Sequence, residues 1–420
     1  MSPREVYLSR EAEFSATAER LRKLSDRLSI ARLAVFAGGL VLFAVLLSFS
    51  VFAAAVSLTM ALILFTWLVM KYETTERSRK RHLHLAEINS LELKCLDGDF
   101  SGFKTGEEYA ERDHPYSYDL DIFGKASLFQ YICRTSSRPA SDRLAEFLKQ
   151  GAPPEEILLR QEAVTELQPL TDWRQEMMTL GYLNAAAGND PAPLMQWLES
   201  DDLFRKTGRE KVITGCLSLL AVTAITSVIA GLPAGILAPV LGVNFVFYFT
   251  RFRRISKLQE QVSRSSDLLK AYSAIIRLTE NRGFNSPLLQ KLQSAFRNEI
   301  AASDRIRQLS KLVSRLDWRL NMLISGPLNL LFFADIHFCL ALERWKRNHA
   351  SRIPGWFASM AKFEALASLG NMAFNNPGWV YPQVTKDYFV FRAEEMGHPL
   401  IPAGRRISNS FVTEGAGKAI

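Results

Sequence analysis

The chain has few cysteines, and their spacing excludes the usual cysteine-built sites. Cys95, Cys133, Cys216 and Cys339 are scattered over 420 residues, and no two of them form a Cys-x-x-Cys pair. A structural zinc site or a disulfide framework needs more closely spaced cysteines. The sequence therefore predicts neither, as is typical of a protein in a reducing compartment.

Charged residues are absent from two long stretches, residues 33–70 and 212–250. At 38 and 39 residues, each is about twice the ~20 apolar residues that one membrane-spanning helix needs. Turn-forming residues break the first stretch around Ser48 and Ser50, and the second at residues 231–235. Because backbone polar groups cannot stay unpaired in lipid, each stretch predicts two membrane-spanning helices, here called hairpin 1 and hairpin 2. Two buried hairpins inside a soluble core are the alternative, but uncharged stretches of this length are rare in soluble domains.

Lysine and arginine are concentrated beside the hairpins. The four flanks are residues 20–32, 71–81, 205–211 and 251–257. Together they hold 18 basic and four acidic residues, an excess of 14 positive charges, whereas the whole chain carries a net charge of only +8. Excess Lys and Arg marks the cytoplasmic side. We therefore expect four transmembrane helices with both termini cytoplasmic, an uncleaved anchor in place of a signal peptide, and a bacterial inner membrane as the location. The basic isoelectric point is by itself a poor indication of nucleic-acid binding.

Between and after the hairpins the apolar spacing is mostly helical, so the predicted fold class is mainly α. Residues 4–32 and 71–96 are expected to extend the helices of hairpin 1 into the cytoplasm, and residues 251–281 to form one long helix. The apolar segment 320–342 carries Asp and His, which are costly in lipid, and is predicted to be a buried core helix. After Asn375, aromatic and β-branched residues with turn signals predict strands and a new domain.

No arrangement of residues predicts a catalytic or metal site. The segment 415–419 is similar to the end of a phosphate-binding loop but lacks its first glycine and its Mg²⁺-binding hydroxyl. Three acidic pairs lie in predicted loops or first helical turns, where negative charge complements the helix dipole; they are Glu107-Glu108, Glu155-Glu156 and Asp201-Asp202.

A series of short motifs lies between the hairpins and continues after hairpin 2. The first group reads DLDIFGKASLFQ at 119–130, RTSS at 134–137, RLAEFL at 143–148 and RQEAVTEL at 160–167. The order and spacing resemble the helical core, or lever, domain of the MutS family of DNA mismatch repair proteins. Residues 328–346 and 364–369 are similar to later core helices of that family, and residues 397–409 to the opening strands of its ATPase domain. The resemblance covers residues 113–210 and 251–420.

The resemblance implies an ATP-binding domain that is incomplete within these residues. Neither a Walker A nor a Walker B motif is present before Ile420, and we expect a deliberately shortened chain rather than a gene product that is naturally cut short. Arg406, Ile407 and Asn409 resemble part of the rim of the family's adenine pocket. ATP and Mg²⁺ are expected to bind only with the missing domain, which would also form a homodimer, so no ATP hydrolysis is expected from this chain.

The chain also departs from the family pattern. The N-terminal mismatch-reading domain with its Phe-x-Glu wedge is absent, and hairpin 1 stands in its place. The DNA clamp is shortened to residues that carry six basic positions; they are Lys291, Arg297, Arg305, Arg307, Lys311 and Arg315. These side chains either meet DNA phosphates by charge or form an ordinary solvated helix face.

These observations predict seven segments and leave two functions open. The segments are an N-terminal helix (1–32), hairpin 1 (33–70), a helix and linker (71–112), a first core segment (113–210), hairpin 2 (211–250), a second core segment with the shortened clamp (251–375) and the first ATPase strands (376–420). One function is a membrane-anchored MutS-like protein that couples an ATP-binding domain to double-stranded DNA or a partner. The other is a membrane scaffold with a MutS-like core that binds lipid or protein but not DNA.

Overall fold

The computed structural model describes most of the chain. The described residues are 1–183, 191–204, 207–263, 265–297, 300–384, 390–402 and 404–414. The segment 415–419 and the flank residues Arg205 and Lys206 lie outside them, so the interpretation of that segment stays a prediction.

Helices dominate the described residues, which confirms the mainly α class. The helices are α1 (Pro3–Leu47), α2 (Val51–Leu96), α3 (Leu128–Ile132), α4 (Arg138–Lys149), α5 (Pro154–Leu167), α6 (Thr171–Leu183), α7 (Ala192–Glu199), α8 (Thr207–Ile229), α9 (Leu237–Val262), α10 (Ser265–Glu280), α11 (Pro287–Ser294), α12 (Ala302–Asp317), α13 (Met322–Phe332), α14 (Ala334–His349) and α15 (Ile353–Asn375). Short 3-10 turns occur at Glu107–Tyr109, Ala234–Ile236, Trp318–Leu320 and Ala350–Arg352. The strands β1 (Val390–Met396) and β2 (Asn409–Glu414) form an antiparallel pair, with Val390 opposite Glu414.

Among the described residues, four helices are long and apolar enough to cross a membrane: α1, α2, α8 and α9. At most 17% of the most apolar window of each is buried inside the protein, so these side chains face outward, as lipid-facing residues do. The turn of hairpin 1 lies at the predicted position, where the Ser50 hydroxyl accepts a hydrogen bond from Ala53 N–H and begins α2. The turn of hairpin 2 uses Gly231 at φ +100°, a left-handed conformation that glycine adopts without strain.

The chain divides into two compact units. Unit 1 comprises residues 1–133, 171–179 and 371–420 and contains hairpin 1. In it, α1 and α2 continue past the charge-free stretch, which confirms the predicted helical extensions. Their cytoplasmic location stays a prediction. Unit 2 comprises residues 134–170 and 180–370 and contains hairpin 2.

A buried polar network holds unit 1 together at the end of α2. Glu92 accepts hydrogen bonds from Asn371 Nδ2 at 3.0 Å and from Asn375 Nδ2 at 2.9 Å. The Tyr7 hydroxyl of α1 donates to Asn375 Oδ1 at 2.7 Å. Because the carboxylate, both amides and the phenol are all buried and bonded to one another, the network costs little to bury. It fixes α1 and α2 to the end of α15.

Two helix predictions are wrong, each because a helix breaks. The expected single helix over 251–281 is two, since α9 ends at Val262 and extended backbone at Ser263 precedes α10. The expected buried helix over 320–342 is also two. Phe333 adopts a left-handed conformation with φ +51° between α13 and α14, and the chain bends there by 79°.

Candidate functional site at the base of hairpin 2

A cluster of charged residues lies where hairpin 2 joins the rest of unit 2. Three regions of the chain build it: the connection between α7 and α8, the facing ends of α8 and α9, and the helix α14. We call it the hairpin-2 base; its members are Ser200, Asp202, Arg209, Glu210, Arg251, Arg254, Glu343, Lys346 and Arg347. The charge-free stretch runs from Val212 to Thr250, so this cluster lies at its border.

Asp202 and Glu343 form a carboxyl pair within the hairpin-2 base. Glu343 on α14 is fully buried and accepts a hydrogen bond from the Leu203 backbone N–H at 3.1 Å. Asp202 accepts a hydrogen bond from Arg347 Nη1 at 2.6 Å and shares a second hydrogen bond with Glu343. Two carboxyl groups can share a hydrogen bond only when one of them carries a proton.

The two carboxyl groups have opposite pKa shifts, which assigns the proton. Burial, reinforced by the hydrogen bond with Asp202, raises the pKa of Glu343 to about 7. Although burial opposes it, the hydrogen bond with Glu343 and the Arg347 guanidinium lower the pKa of Asp202 below its ordinary value. Glu343 therefore holds the shared proton, and the pair loses it near neutral pH.

Lys346 is the buried cation of the cluster. Its ammonium donates to the Ser200 carbonyl at 2.6 Å and lies 3.6 Å from Asp202 Oδ1 and 3.8 Å from Glu343 Oε2. It also lies 5.6 Å from the centroid of the Trp197 ring, within the range of a cation–π contact. A buried ammonium is stable only with such partners, so these contacts fix α14 to the segment that leads into hairpin 2.

A cavity of about 470 Å³ opens beside the carboxyl pair. It is lined by Asp202, Leu203, Phe204, Arg209, Glu210, Arg251 and Arg254. The arginines come from the flanks of hairpin 2, which the sequence explained only as a topology signal. The structure brings the two flanks together around one cavity.

Two polar contacts join hairpin 2 to the break between α13 and α14. Asn244 Nδ2 of α9 donates to the Leu330 carbonyl at 2.8 Å. That carbonyl is free of a helical partner because α13 ends at Phe332. The Tyr248 hydroxyl donates to Asp335 Oδ2 at 2.8 Å. Asn244 precedes Thr250 by six residues, about 9 Å along a helix, so the end of α13 packs beside the charge-free stretch.

Arg319 completes this junction from the 3-10 turn before α13. Its Nε lies 3.3 Å from Asp335 Oδ2, and both side chains are almost fully buried. Its Nη1 donates to Gln259 Oε1 and its Nη2 to Ser256 Oγ, each at 2.9 Å. The guanidinium thus links α9 to the start of α14, and α13 is held at both ends against hairpin 2.

The six basic residues predicted to meet DNA lie on α11, on α12 and between them. Lys291, Arg297, Arg307, Lys311 and Arg315 are exposed, and Arg305 is half-buried. Arg307, Lys311 and Arg315 recur every four residues, so they share one face of α12. Among the described residues, none of the six forms a salt bridge. The structure therefore provides a short exposed basic row, here called the α12 row (Arg307, Lys311 and Arg315).

The residues predicted to form an adenine-pocket rim lie in unit 1, at and just before the start of β2. Arg406 places its guanidinium 5.8 Å from the Trp379 ring centroid. Ile407 is 84% exposed, and Asn409 begins β2 opposite Met396. These positions are on one exposed segment, and their role in nucleotide binding stays a prediction.

Two motifs that carry the MutS resemblance meet in unit 2. The Glu364 carboxylate of α15 accepts hydrogen bonds from the backbone N–H and the hydroxyl of both Ser136 and Ser137, at 2.8 to 3.2 Å. The Ser368 hydroxyl accepts a hydrogen bond from Arg134 N–H at 3.0 Å. Comparison of the chain with protein-family models, curated proteins and solved structures found no match. The family assignment therefore rests on the motifs and stays a prediction.

The carboxyl pair could not be predicted from the sequence. The Asp201-Asp202 pair was expected to complement a helix dipole, but Asp202 bonds to Glu343 and Arg347 instead. Its partner is about 140 residues away in the chain, and no short-range spacing signals such a contact. The signal in the sequence that could have indicated the pair is the acidic residue Glu343 within an apolar helical pattern.

Proposed function

We propose that this chain is the membrane-anchored helical region of a MutS-like protein, which couples an ATP-binding domain to double-stranded DNA or to a partner. ATP-driven dimerisation through that domain would move the helical core, and the two hairpins would confine the motion to a bacterial inner membrane. The chain itself contributes no ATP hydrolysis in this proposal, because it holds no Walker motif.

The observation that carries the proposal is the junction of the Ser136–Ser137 motif with Glu364. Residues more than 220 positions apart in the chain are joined by a buried carboxylate at the start of α4. A negative charge at a helix N-terminus is favourable because the first backbone N–H groups are otherwise unpaired. Motifs that belong to one structural core would make such a contact, which supports interpreting them as elements of a single lever domain.

Hairpin 2 lies inside the same compact unit as these motifs. Its helix α9 is bonded to α13 and α14 through Asn244 and Tyr248, and to Arg319 just before α13. A rearrangement of α13 or α14 would therefore act on the hairpin directly. This arrangement supports a machine that works at the membrane surface rather than one that is merely tethered to it.

The α12 row supports DNA as the partner. Three exposed cations on one helix face, with no acidic partner among the described residues, can neutralise phosphates along a duplex. The test is fluorescence-anisotropy titration of duplex DNA with the detergent-solubilised chain over a series of salt concentrations. We expect affinity to fall linearly on a log–log plot as salt rises.

A charge-reversal variant and a matched control make the test specific. Arg307→Glu, Lys311→Glu and Arg315→Glu together should abolish binding at every salt concentration. The control reverses three exposed basic residues of unit 1, Lys94, Arg112 and Lys125, and should bind as the parent does. Equal loss in both variants would mean non-specific attraction, and no binding by the parent at low salt would reject the DNA function.

The membrane-scaffold function is favoured by one observation. In the MutS family the N-terminal domain reads mismatches, whereas here residues 1–96 are the paired helices α1 and α2. Residues 1–96 contain no Phe-x-Glu sequence that could insert at a mispair. If the DNA titration fails, we propose that the helical core instead binds a protein partner at the membrane.

A further inference from the structure

The cavity at the hairpin-2 base is rich in arginine. Three of its seven lining residues are arginines, and they come from both flanks of hairpin 2. Arg209 lies in the first turn of α8, and Arg251 and Arg254 lie on α9 just after the charge-free stretch ends. A guanidinium presents paired N–H donors that match the oxygens of a phosphate group.

Arg251 is held in position by its neighbours. Its Nη2 donates to Glu210 Oε1 at 3.2 Å, its Nη1 donates to Thr250 Oγ1 at 2.6 Å, and the guanidinium lies 4.2 Å from the centroid of the Phe247 ring. Its Nε is buried and has no hydrogen-bond partner among the described residues. A buried guanidinium N–H without an acceptor is costly, and an oxygen of a bound ligand would satisfy it.

The lining holds two acidic residues, Asp202 and Glu210, against three arginines, so a net positive charge of one remains. Glu210 bonds to Arg251, and Asp202 bonds to Arg347 outside the cavity lining. Arg209 and Arg254 are exposed and form no salt bridge with any residue that the structure describes. Their charges are thus available to a ligand.

The position of the cavity favours a lipid as the source of the phosphate. Arg209 and Arg254 lie within four residues of the two ends of the stretch 212–250, which is the level of phospholipid headgroups. Leu203 and Phe204 add apolar surface to the lining. Basic pockets beside transmembrane helices on the cytoplasmic side are known to hold acidic headgroups, and about 470 Å³ lies within the usual size of a ligand pocket.

We propose that this cavity binds the phosphate group of an anionic phospholipid headgroup, with Arg209, Arg251 and Arg254 as its donors. The site is independent of DNA binding, because the α12 row does not contribute to it. A lipid seated there would bridge α8 and α9 at their base. It would thereby stabilise hairpin 2 at the point where the carboxyl pair and α14 meet it.

The experiment measures the melting temperature of the full chain in nanodiscs. One set contains phosphatidylcholine alone, and the other contains phosphatidylcholine mixed with phosphatidylglycerol. We expect the mixed lipid to raise the melting temperature of the parent. We also expect Arg209→Gln with Arg254→Gln to remove that rise, since losing charged hydrogen bonds weakens binding roughly tenfold or more.

A matched variant separates this site from general attraction to the membrane. Arg253 and Lys257 are exposed basic residues of the same helix that do not line the cavity, so Arg253→Gln with Lys257→Gln should keep the full rise. Equal loss in both variants, or no rise in the parent, would overturn the proposal. Unchanged melting temperatures of both variants in phosphatidylcholine alone would show that each still folds.

A second arm identifies the source of the phosphate. Inorganic phosphate and glycerol phosphate are titrated into the phosphatidylcholine nanodiscs. If neither compound raises the melting temperature of the parent at matched ionic strength, the result supports a lipid headgroup as the source. A rise that the Arg209→Gln, Arg254→Gln variant loses would instead assign the cavity to a soluble phosphate compound and overturn the lipid source.

Discussion

Glu364 is the residue on which the start of α4 depends. Its carboxylate takes four hydrogen bonds from Ser136 and Ser137 and is 3% exposed. A glutamine at this position keeps the shape but replaces one oxygen with an NH₂ group that faces N–H and O–H donors. The negative charge at the helix N-terminus is also lost.

We expect Glu364→Gln to lower the free energy of unfolding by on the order of 2–3 kcal/mol, the usual effect of removing buried hydrogen bonds to a charged group. The measurement is denaturant unfolding of the detergent-solubilised chain. Glu162→Gln is the control, because Glu162 is an exposed residue of α5. A loss no larger than that of the control would contradict the role assigned to Glu364.

The Asp202–Glu343 pair predicts a specific dependence of stability on pH. The pKa of Glu343 rises from an ordinary 4.5 to about 7 in the folded chain, so the folded state binds this proton more tightly than the unfolded state. The contribution to stability is fully present below pH 4.5 and is lost as the pH rises through about 7.

Glu343→Gln removes the titrating group, so its melting temperature should not fall over this pH range as that of the parent does. The melting temperature of the variant should therefore increase relative to that of the parent as the pH rises. A series of fluorescence melting curves at different pH values measures this difference. The Glu162→Gln control should follow the parent. A variant whose pH dependence matches the parent would show that Glu343 is ionised throughout.

At the scale of elements, the hairpins differ in how they are supported. The helices of hairpin 1 have 45 and 46 residues, or about 68 Å at 1.5 Å per residue. A hydrocarbon core is only about 30 Å thick, so each helix is more than twice as long as a membrane crossing requires. In hairpin 2, α9 continues past the charge-free stretch to Val262, and α13 packs against both α8 and α9.

The contact between Asn244 and Leu330 should control how firmly α13 is held. We expect Asn244→Leu to increase amide hydrogen exchange in residues 325–332, because the released carbonyl and the helix around it lose their anchor; interhelical hydrogen bonds of this type contribute about 0.6–1.7 kcal/mol. Val246→Leu is the control, since Val246 is 62% exposed on the lipid-facing side of α9. Unchanged exchange in Asn244→Leu would mean that apolar packing alone holds α13.

The elements that could be predicted from the sequence are those set by local pattern. Both hairpins could be predicted from the stretches without charged residues, and their turns from Ser50 and Gly231. The break at Phe333 could not be predicted, because no glycine or proline stands at this position. Asn329 Oδ1 accepts a hydrogen bond from Asp335 N–H across the break, a contact that no local pattern signals. The hairpin-2 base was missed for a related reason. Each of its charges looks like an ordinary flank or helix residue until the fold brings distant segments together.

For the whole molecule, each compact unit contains one hairpin, and basic residues flank both. In unit 2 the same basic flank has two roles. Its excess of Lys and Arg predicts a cytoplasmic location, and its arginines line the cavity at the hairpin-2 base. Replacing two of these arginines therefore tests the cavity without altering topology, because many flank cations remain.

The orientation itself is tested by labelling introduced cysteines. We expect Phe49→Cys and Leu232→Cys, placed in the two exposed turns, to react with a membrane-impermeant maleimide in intact bacterial spheroplasts, because the charge rule puts both turns outside. Tyr118→Cys, at a residue 52% exposed in unit 1, should react only after the membrane is permeabilised. The background replaces the four native cysteines, of which Cys216 is exposed. If Tyr118→Cys is labelled in intact spheroplasts and neither turn cysteine is, the orientation is the opposite one. If only one of the two turn cysteines is labelled, the other hairpin does not cross the membrane.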